Sequence, residues 1–433
     1  MTRRVLLAAA LLAAAGYVFV YATARADPPI RSDGFSYYVY LPSWFLYHDA
    51  SLGAVARDCC GGEYDPFTAI VRWPGTGRWV NAHPIGVAIL QAPFFLVGHG
   101  LTKWTNLSPD GFTFYYQHAA GLAGAFWTVA GLVVLADVLR RRFSDWVTAA
   151  TIVAVLFGTN LYHYATYDSS YSHAYSFFLL AAFLSLTDRW FRNLHSKTGS
   201  SQVATTVLLG VVAGLIVLTR HTNAIFLILF ALYGVTSAET LRANIVRLTA
   251  HWRDLAIMAI VGAAVLLPQL AIYREATGRL FVSSYGTLGF TFASPHLWGV
   301  LFSVQKGLFF WSPVLLGAVA GVILGDKAKL PFLSGTVIVF AIDAYLIASW
   351  WDWQFGGSYG HRGFVDVLPL FAFGLAALFE WSAARSVWRI AVTALTIAVT
   401  ALSVVQMLQY WNGVLPISDT TWQQYRAVFL QLR

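Results

Sequence analysis

Charged residues are scarce in this chain. Only 11% of its 433 residues are Asp, Glu, Lys or Arg, less than half of the roughly 25% usual in soluble domains. Cysteine is nearly absent, with Cys59 and Cys60 the only two, side by side. Neighbouring cysteines close only a strained ring, so no long-range disulfide within one chain can staple the fold. Two thiols are also too few ligands for a metal site. They read as free thiols or a local strained pair. No stretch has the composition of a water-soluble core, and no internal repeat or low-complexity tract is visible.

What is present is apolar surface. Hydrophobic residues make up 58% of the chain and aromatics 16%, and apolar segments of membrane length recur from end to end. The runs are continuous rather than alternating, which excludes a membrane β-barrel. The chain reads as an all-α polytopic membrane protein, one transmembrane domain over residues 1–433. The net charge of +8 belongs to loops that orient the protein in the bilayer and is not a nucleic-acid signal.

Thr2-Arg3-Arg4 precede the run Val5 to Ala22. A signal peptide cleaved near Ala24-Arg25-Ala26 is the competing reading, but the run exceeds a usual signal core, which favours a retained helix. Residues 27–114 then form a long first loop. Its apolar stretch, Pro84 to Leu101, contains Pro93, Gly98 and His99 and makes a poor span. If it lies along the membrane, every short basic loop falls on the cytoplasmic side: Arg140 to Arg142, Arg189 with Arg192 and Lys197, Arg242 with Arg247 and Arg253, Lys327 with Lys329, and Arg385 with Arg389. Spans are then expected near 5–22, 115–139, 145–162, 173–190, 203–219, 222–237, 254–273, 307–325, 331–349, 363–380 and 390–411. That is eleven, with the N-terminus inside and a short tail, 412–433, outside. Residues 239–254 carry arginines at helical spacing and suit the cytoplasmic surface.

With that orientation the outer side collects the chemistry: RSDGFSYY at 31, NAHPIG at 81, YHYATYDSSYSHAYSFF at 162, TRHTN at 219, YREATGRLFVSSYGTLGF at 273, VQKG at 304 and WWDWQFGGSYGHR at 350. Ionisable groups at span ends are functional candidates because burying them near lipid is costly. Cations there suit a lipid phosphate, aromatic faces suit sugars or the interface itself, and a carboxylate suits a general base. The mixture points to transfer of a sugar from a lipid phosphate to a hydroxyl.

An acid directly after the first helix, followed by a long first outer loop with two juxtamembrane helices, resembles the GT-C glycosyltransferases that use polyprenyl-phosphate sugars, such as protein O-mannosyltransferases and aminoarabinose transferases. SYSHAYSFF at 170, LTRHTNAIFL at 218, FASPHLWGVLFSVQKGLFFWSPVLL at 292 and GGSYGHRGFVDVLPLFAFGLA at 356 are similar to stretches of uncharacterised bacterial members. The resemblance implies an inverting transferase in a bacterial cytoplasmic membrane, working on the outer face, with a polyprenyl-phosphate-sugar donor and a cell-envelope acceptor. It implies that Asp33 is the catalytic carboxylate of the first loop, acting as base on the acceptor or positioning it. Arg362, His361, Arg220, His221 and Lys306 are the candidates for the donor phosphate, and His83, Asp168, His173, Tyr285 and Asp352 for the acceptor or sugar. Many members carry a second acid beside the first, but Gly34 stands here, so the paired motif that would support a divalent metal is missing. His83 stands where the aminoarabinose branch has lysine, and His221 where relatives often have proline.

Each candidate also has a bland reading. Asp33 can cap the next helix, Arg220 can be a structural ion pair, Lys306 can snorkel, Arg362 and Asp352 can be interfacial anchors, and Asp168 with His173 can be a satisfied hydrogen-bond network. The rival functions are a flippase or transporter of a lipid-linked glycan, which needs midplane polar groups and repeated halves, and another envelope transferase such as an acyltransferase.

Overall fold

The structure is a computed structural model that describes residues 1–23, 25–60, 69–194, 199–282 and 288–432. The expected Tyr285 therefore lies outside the described residues. In chain order the helices are α1 (Thr2–Ala22), α2 (Ser32–Tyr38), α3 (Tyr40–Phe45), α4 (Gly53–Cys60), α5 (Gly86–Trp104), α6 (Phe114–Arg140), α7 (Asp145–Phe157), α8 (Leu161–Thr166), α9 (Ser172–Asn193), α10 (Gly199–Thr219), α11 (Ile228–Ala231), α12 (Ala238–Ala250), α13 (Trp252–Thr277), α14 (Leu297–Phe302), α15 (Leu308–Trp311), α16 (Val314–Leu324), α17 (Leu333–Ser349), α18 (Leu368–Ala383), α19 (Ser386–Trp411) and α20 (Trp422–Ala427). Among the described residues the strands are β1 (Ile70–Arg72) and β2 (Trp79–Asn81), an antiparallel pair in the first loop.

Among the described residues six helical segments are long and apolar enough to cross a membrane: α1, α6, Gln202–Thr219 of α10, α13, Arg362–Ala383 and α19. This is a multi-pass membrane protein. Of the other expected spans, 173–190 is the continuous but less apolar α9, and the rest are helical but shorter or broken. The 145–162 segment stops at Gly158, where a Cβ would lie 2.6 Å from the Ala154 carbonyl, and resumes as α8. The 307–325 segment splits into α15 and α16 at Pro313, which cannot donate a helical hydrogen bond. The 222–237 segment is a 3-10 turn, His221–Leu227, followed by α11. The 84–101 stretch forms α5, and residues 239–254 contain α12.

Bundle packing relies on small residues, as expected where lipid removes the hydrophobic drive between helices. On α16, a Cβ at Gly321 would meet the Gly374 carbonyl of α18 at 1.8 Å. Two apolar cores result. The larger one fills the bundle, and a second joins Ile30, Tyr38 to Leu41, Trp79, Ile85, Phe95 and Tyr116, fastening the first loop onto α5 and α6.

The long helices carry different chemistry at their two ends. α9 begins beside His173 and carries near its other end Asp188, which is fully buried and receives Arg141 at 2.7 Å, Arg192 at 3.0 Å, the Tyr233 hydroxyl at 2.8 Å, and Arg142. α6, about 40 Å long for its 27 residues, likewise ends at Arg140 next to Arg141 and Arg142. The basic loops and the first loop thus sit at opposite ends of the same helices.

Candidate functional site

The site is built around α2. Seven residues are too few for an independent helix, so its position comes from outside. Ile30 N–H donates to Gln117 Oε1 at 2.8 Å, Ser170 Oγ to the Pro29 carbonyl at 2.5 Å, and Asn81 Nδ2 to the Ser36 carbonyl at 2.6 Å. Gly34 packs against Ser170, and an added Cβ would lie 2.0 Å from Ser170 Oγ. There is no room for a second acid at that position.

Ser32, just before Asp33, has φ 47°, and Phe355 has φ 58°. Left-handed backbone at non-glycine residues costs about 1–3 kcal/mol each and gathers at functional sites. Here the two strained segments meet. The glycine-rich loop from Phe355 delivers Arg362, whose Nη1 lies 3.1 Å from Asp33 Oδ2. Asp33 retains 28% exposure. Burial pushes its carboxyl up, but Arg362, helped by His83 and His173, outweighs this and holds it below the usual carboxylate value.

A second ion pair stands nearby. Arg220 Nη1 is 2.9 Å from Asp366 Oδ2, which also accepts from Asn223 Nδ2 at 3.0 Å, while Asp366 Oδ1 is 3.9 Å from His173 Nδ1. Arg220 and Arg362 each lie 5.9 Å from the Phe355 ring centroid, so two guanidiniums flank one aromatic ring. Asp168 belongs to a third pair. It receives Arg31 at 2.7 Å and His163 Nε2 at 2.8 Å. Trp411 Nε1–H donates to His163 Nδ1 at 2.9 Å, so the imidazole proton sits on Nε2 and donates to Asp168. Against the burial that raises it, Arg31 and His163 bring the Asp168 carboxyl down to about 2.

The structure thus brings Asp33, Arg362, His83, His173, Arg220 and Asp168 to one mouth. His83 is buried, its ring 4.4 Å from that of Tyr37, and its carbonyl accepts from the Tyr40 hydroxyl at 2.7 Å. Burial, Arg362 and Arg220 lower its imidazole pKa despite the opposing charge of Asp33. His361 points away, bonding the Trp353 carbonyl through Nε2 at 2.8 Å. His221 is exposed and faces Tyr273, with ring centroids 6.2 Å apart. Asp352 is half-buried in the turn before Phe355, and Lys306 is turned to backbone carbonyls.

Sequence reasoning missed Asp366, Arg31, His163, Trp411 and Phe355. Arg31 and His163 stand in the quoted outer stretches, but their partners were not readable. Among the described residues no group of three His, Cys, Asp or Glu side chains is arranged to hold a metal ion, and Asp33 faces the Arg362 guanidinium.

No protein-family model and no curated protein sequence matches the chain. Solved structures do. ArnT from Cupriavidus metallidurans, in the apo state, matches with a TM-score of 0.53 at 12% identity over 93% of this chain and 64% of its own. The same protein bound to undecaprenyl phosphate gives 0.54 at 14%, over 94% and 70%. The Archaeoglobus fulgidus oligosaccharyltransferase in its apo form gives 0.54 at 15%, over 99% and 57%. The chain thus spans less than two thirds of the length of the apo ArnT chain and of the archaeal enzyme. At these identities the likeness establishes architecture alone: the chain shares the fold of these two proteins.

Proposed function

We propose that this protein is an inverting glycosyltransferase. It moves a sugar from a polyprenyl-phosphate donor to a hydroxyl of a cell-envelope acceptor on the outer face of the cytoplasmic membrane. The observation that carries the reading is the partly exposed Asp33 carboxylate beside Arg362 in the first loop of a GT-C-like fold.

The acceptor O–H gives its proton to Asp33, and its oxygen attacks the anomeric carbon from the face opposite the phosphate. The bond from that carbon to the phosphate oxygen breaks, and the electron pair leaves with the phosphate. Arg362 faces the growing negative charge, with Arg220 across Phe355. Stabilising that charge is the larger effect, since one well-placed donor is worth about 100-fold or more, and positioning of two bound substrates adds to it. His83 and His173 line the acceptor side. We take the reaction to be metal-independent, because an arginine occupies the place beside Asp33 where a cation would act. The outer-face assignment rests on the basic ends of the helices facing the cytoplasm.

The test is glycan analysis of surface lipids, polysaccharides and proteins in a deletion strain complemented with wild type or with Asp33→Asn at equal expression. Loss of one sugar, restored by wild type and not by Asp33→Asn, is expected. Full restoration by Asp33→Asn removes Asp33 as the base.

A further inference from the structure

Lys306, in the link between α14 and α15, is 2% exposed. Its Nζ donates to the Ser358 carbonyl and, at 3.0 Å, to the Ile417 carbonyl. The Ser358 amide donates to the same Ile417 carbonyl at 3.3 Å. Among the described residues no carboxylate forms an ion pair with this ammonium. Asp419 and Asp352 act on it from farther away, and burial followed by Arg362 brings its pKa down to about 7.

A buried ammonium held by carbonyl oxygens alone costs stability, and an apolar side chain of similar length avoids that cost. Packing therefore does not explain the lysine, but its contacts do. Ser358 lies in the loop that runs from Phe355 to Arg362, where Phe355, Gly356 and Gly360 are all left-handed. Ile417 lies in the tail after α19. That tail is itself moored, because Gln406 Nε2 donates to the Tyr425 hydroxyl at 2.9 Å and Gln409 Nε2 to the Gln431 carbonyl at 2.7 Å. Charge points the same way. Asp33, Asp168 and Asp366 each face an arginine, whereas Lys306 has no ion-paired carboxylate among the described residues, and in its protonated form it suits an anionic ligand near Arg362.

We infer that Lys306 is a positioning residue, a clamp between the C-terminal tail and the glycine-rich loop that holds Arg362 and Phe355 in place for a lipid phosphate. The identity of that ligand rests on the function proposed above; the clamp itself does not.

The experiment uses the full chain in lipid nanodiscs, as wild type, Lys306→Met and Lys306→Arg. It reads melting temperature, hydrogen exchange of residues 354–361 and 413–421, and binding of undecaprenyl phosphate as the probe. Lys306→Met is expected to melt no lower than wild type, to exchange faster only in those two segments, and to bind the probe about tenfold more weakly, the scale of one charge-assisted hydrogen bond. Lys306→Arg, which keeps both donors and charge, is expected to restore most of both. Unchanged exchange in the two segments overturns the clamp. So does a lower melting temperature with faster exchange throughout, which marks a plain core role. Loosened segments with unchanged probe affinity overturn the positioning role. If wild type fails to bind the probe, the functional reading fails, and the exchange data still decide the clamp.

Discussion

At the scale of single residues, three carboxylates at the same mouth differ in what they have left to give. Asp168 and Asp366 are 7% and 2% exposed, and their neighbours already hold them. Asp33 keeps one arginine contact and 28% exposure, so a substrate hydroxyl can reach it. A base works in its ionised form, which exists above its pKa. Arg362 holds that pKa below 3.8, so kcat/KM of wild type should stay flat on the acid side down to the usual carboxylate range. Arg362→Met removes the lowering influence and leaves burial, which raises the pKa. The acid limb of a pH–rate profile should then move upward, beside a large fall in rate. An unmoved limb assigns the titration elsewhere. Asp366→Asn leaves Arg220 without its counter-charge, and breaking such a pair costs about 3 kcal/mol, so thermal unfolding in detergent should show a clear loss. Asp366 was hidden in the sequence because it lies in the apolar run GFVDVLPLF, which reads as a span start. Its partner Arg220 is 146 positions away, and no local pattern links the two.

At the scale of elements, α2 is the least self-sufficient helix at the site and the one that matters most. Its place depends on three neighbours, Gln117, Ser170 and Asn81, and on Gly34. Gly34→Ala puts a methyl 2.0 Å from Ser170 Oγ. It should lower both melting temperature and sugar transfer, and Ser170→Ala in the same chain should recover part of each. Absence of any effect would show that α2 shifts freely. The missing second acid at this position was legible from the sequence, but its steric reason was not. Among the described residues, six of the eleven expected spans are helices long and apolar enough to cross a membrane, since continuous apolar runs mark them directly. The breaks at Gly158 and Pro313 were passed over because hydropathy averages across them, although both residues were in plain view.

At the scale of the whole molecule, acids and cations gather at one end of the bundle and arginine clusters at the other. A transporter needs polar groups between those ends, and the gathering at one end argues for chemistry at a surface. Metal independence is testable on the same footing. Sugar transfer in membranes treated with EDTA should persist, and a loss reversed by added divalent cation would overturn it. The C-terminal tail, which the sequence presents as a short appendage, reaches back to Lys306 and the loop before Arg362.

The sequence by itself determined the membrane class and the apolar segments. The cost of placing a charge in lipid is set residue by residue, and it is therefore written locally in the chain. Only the tertiary structure decided which acid meets which base. Asp33 and Arg362 come from distant parts of the chain, and only tertiary packing brings them to 3.1 Å while leaving Asp33 partly exposed.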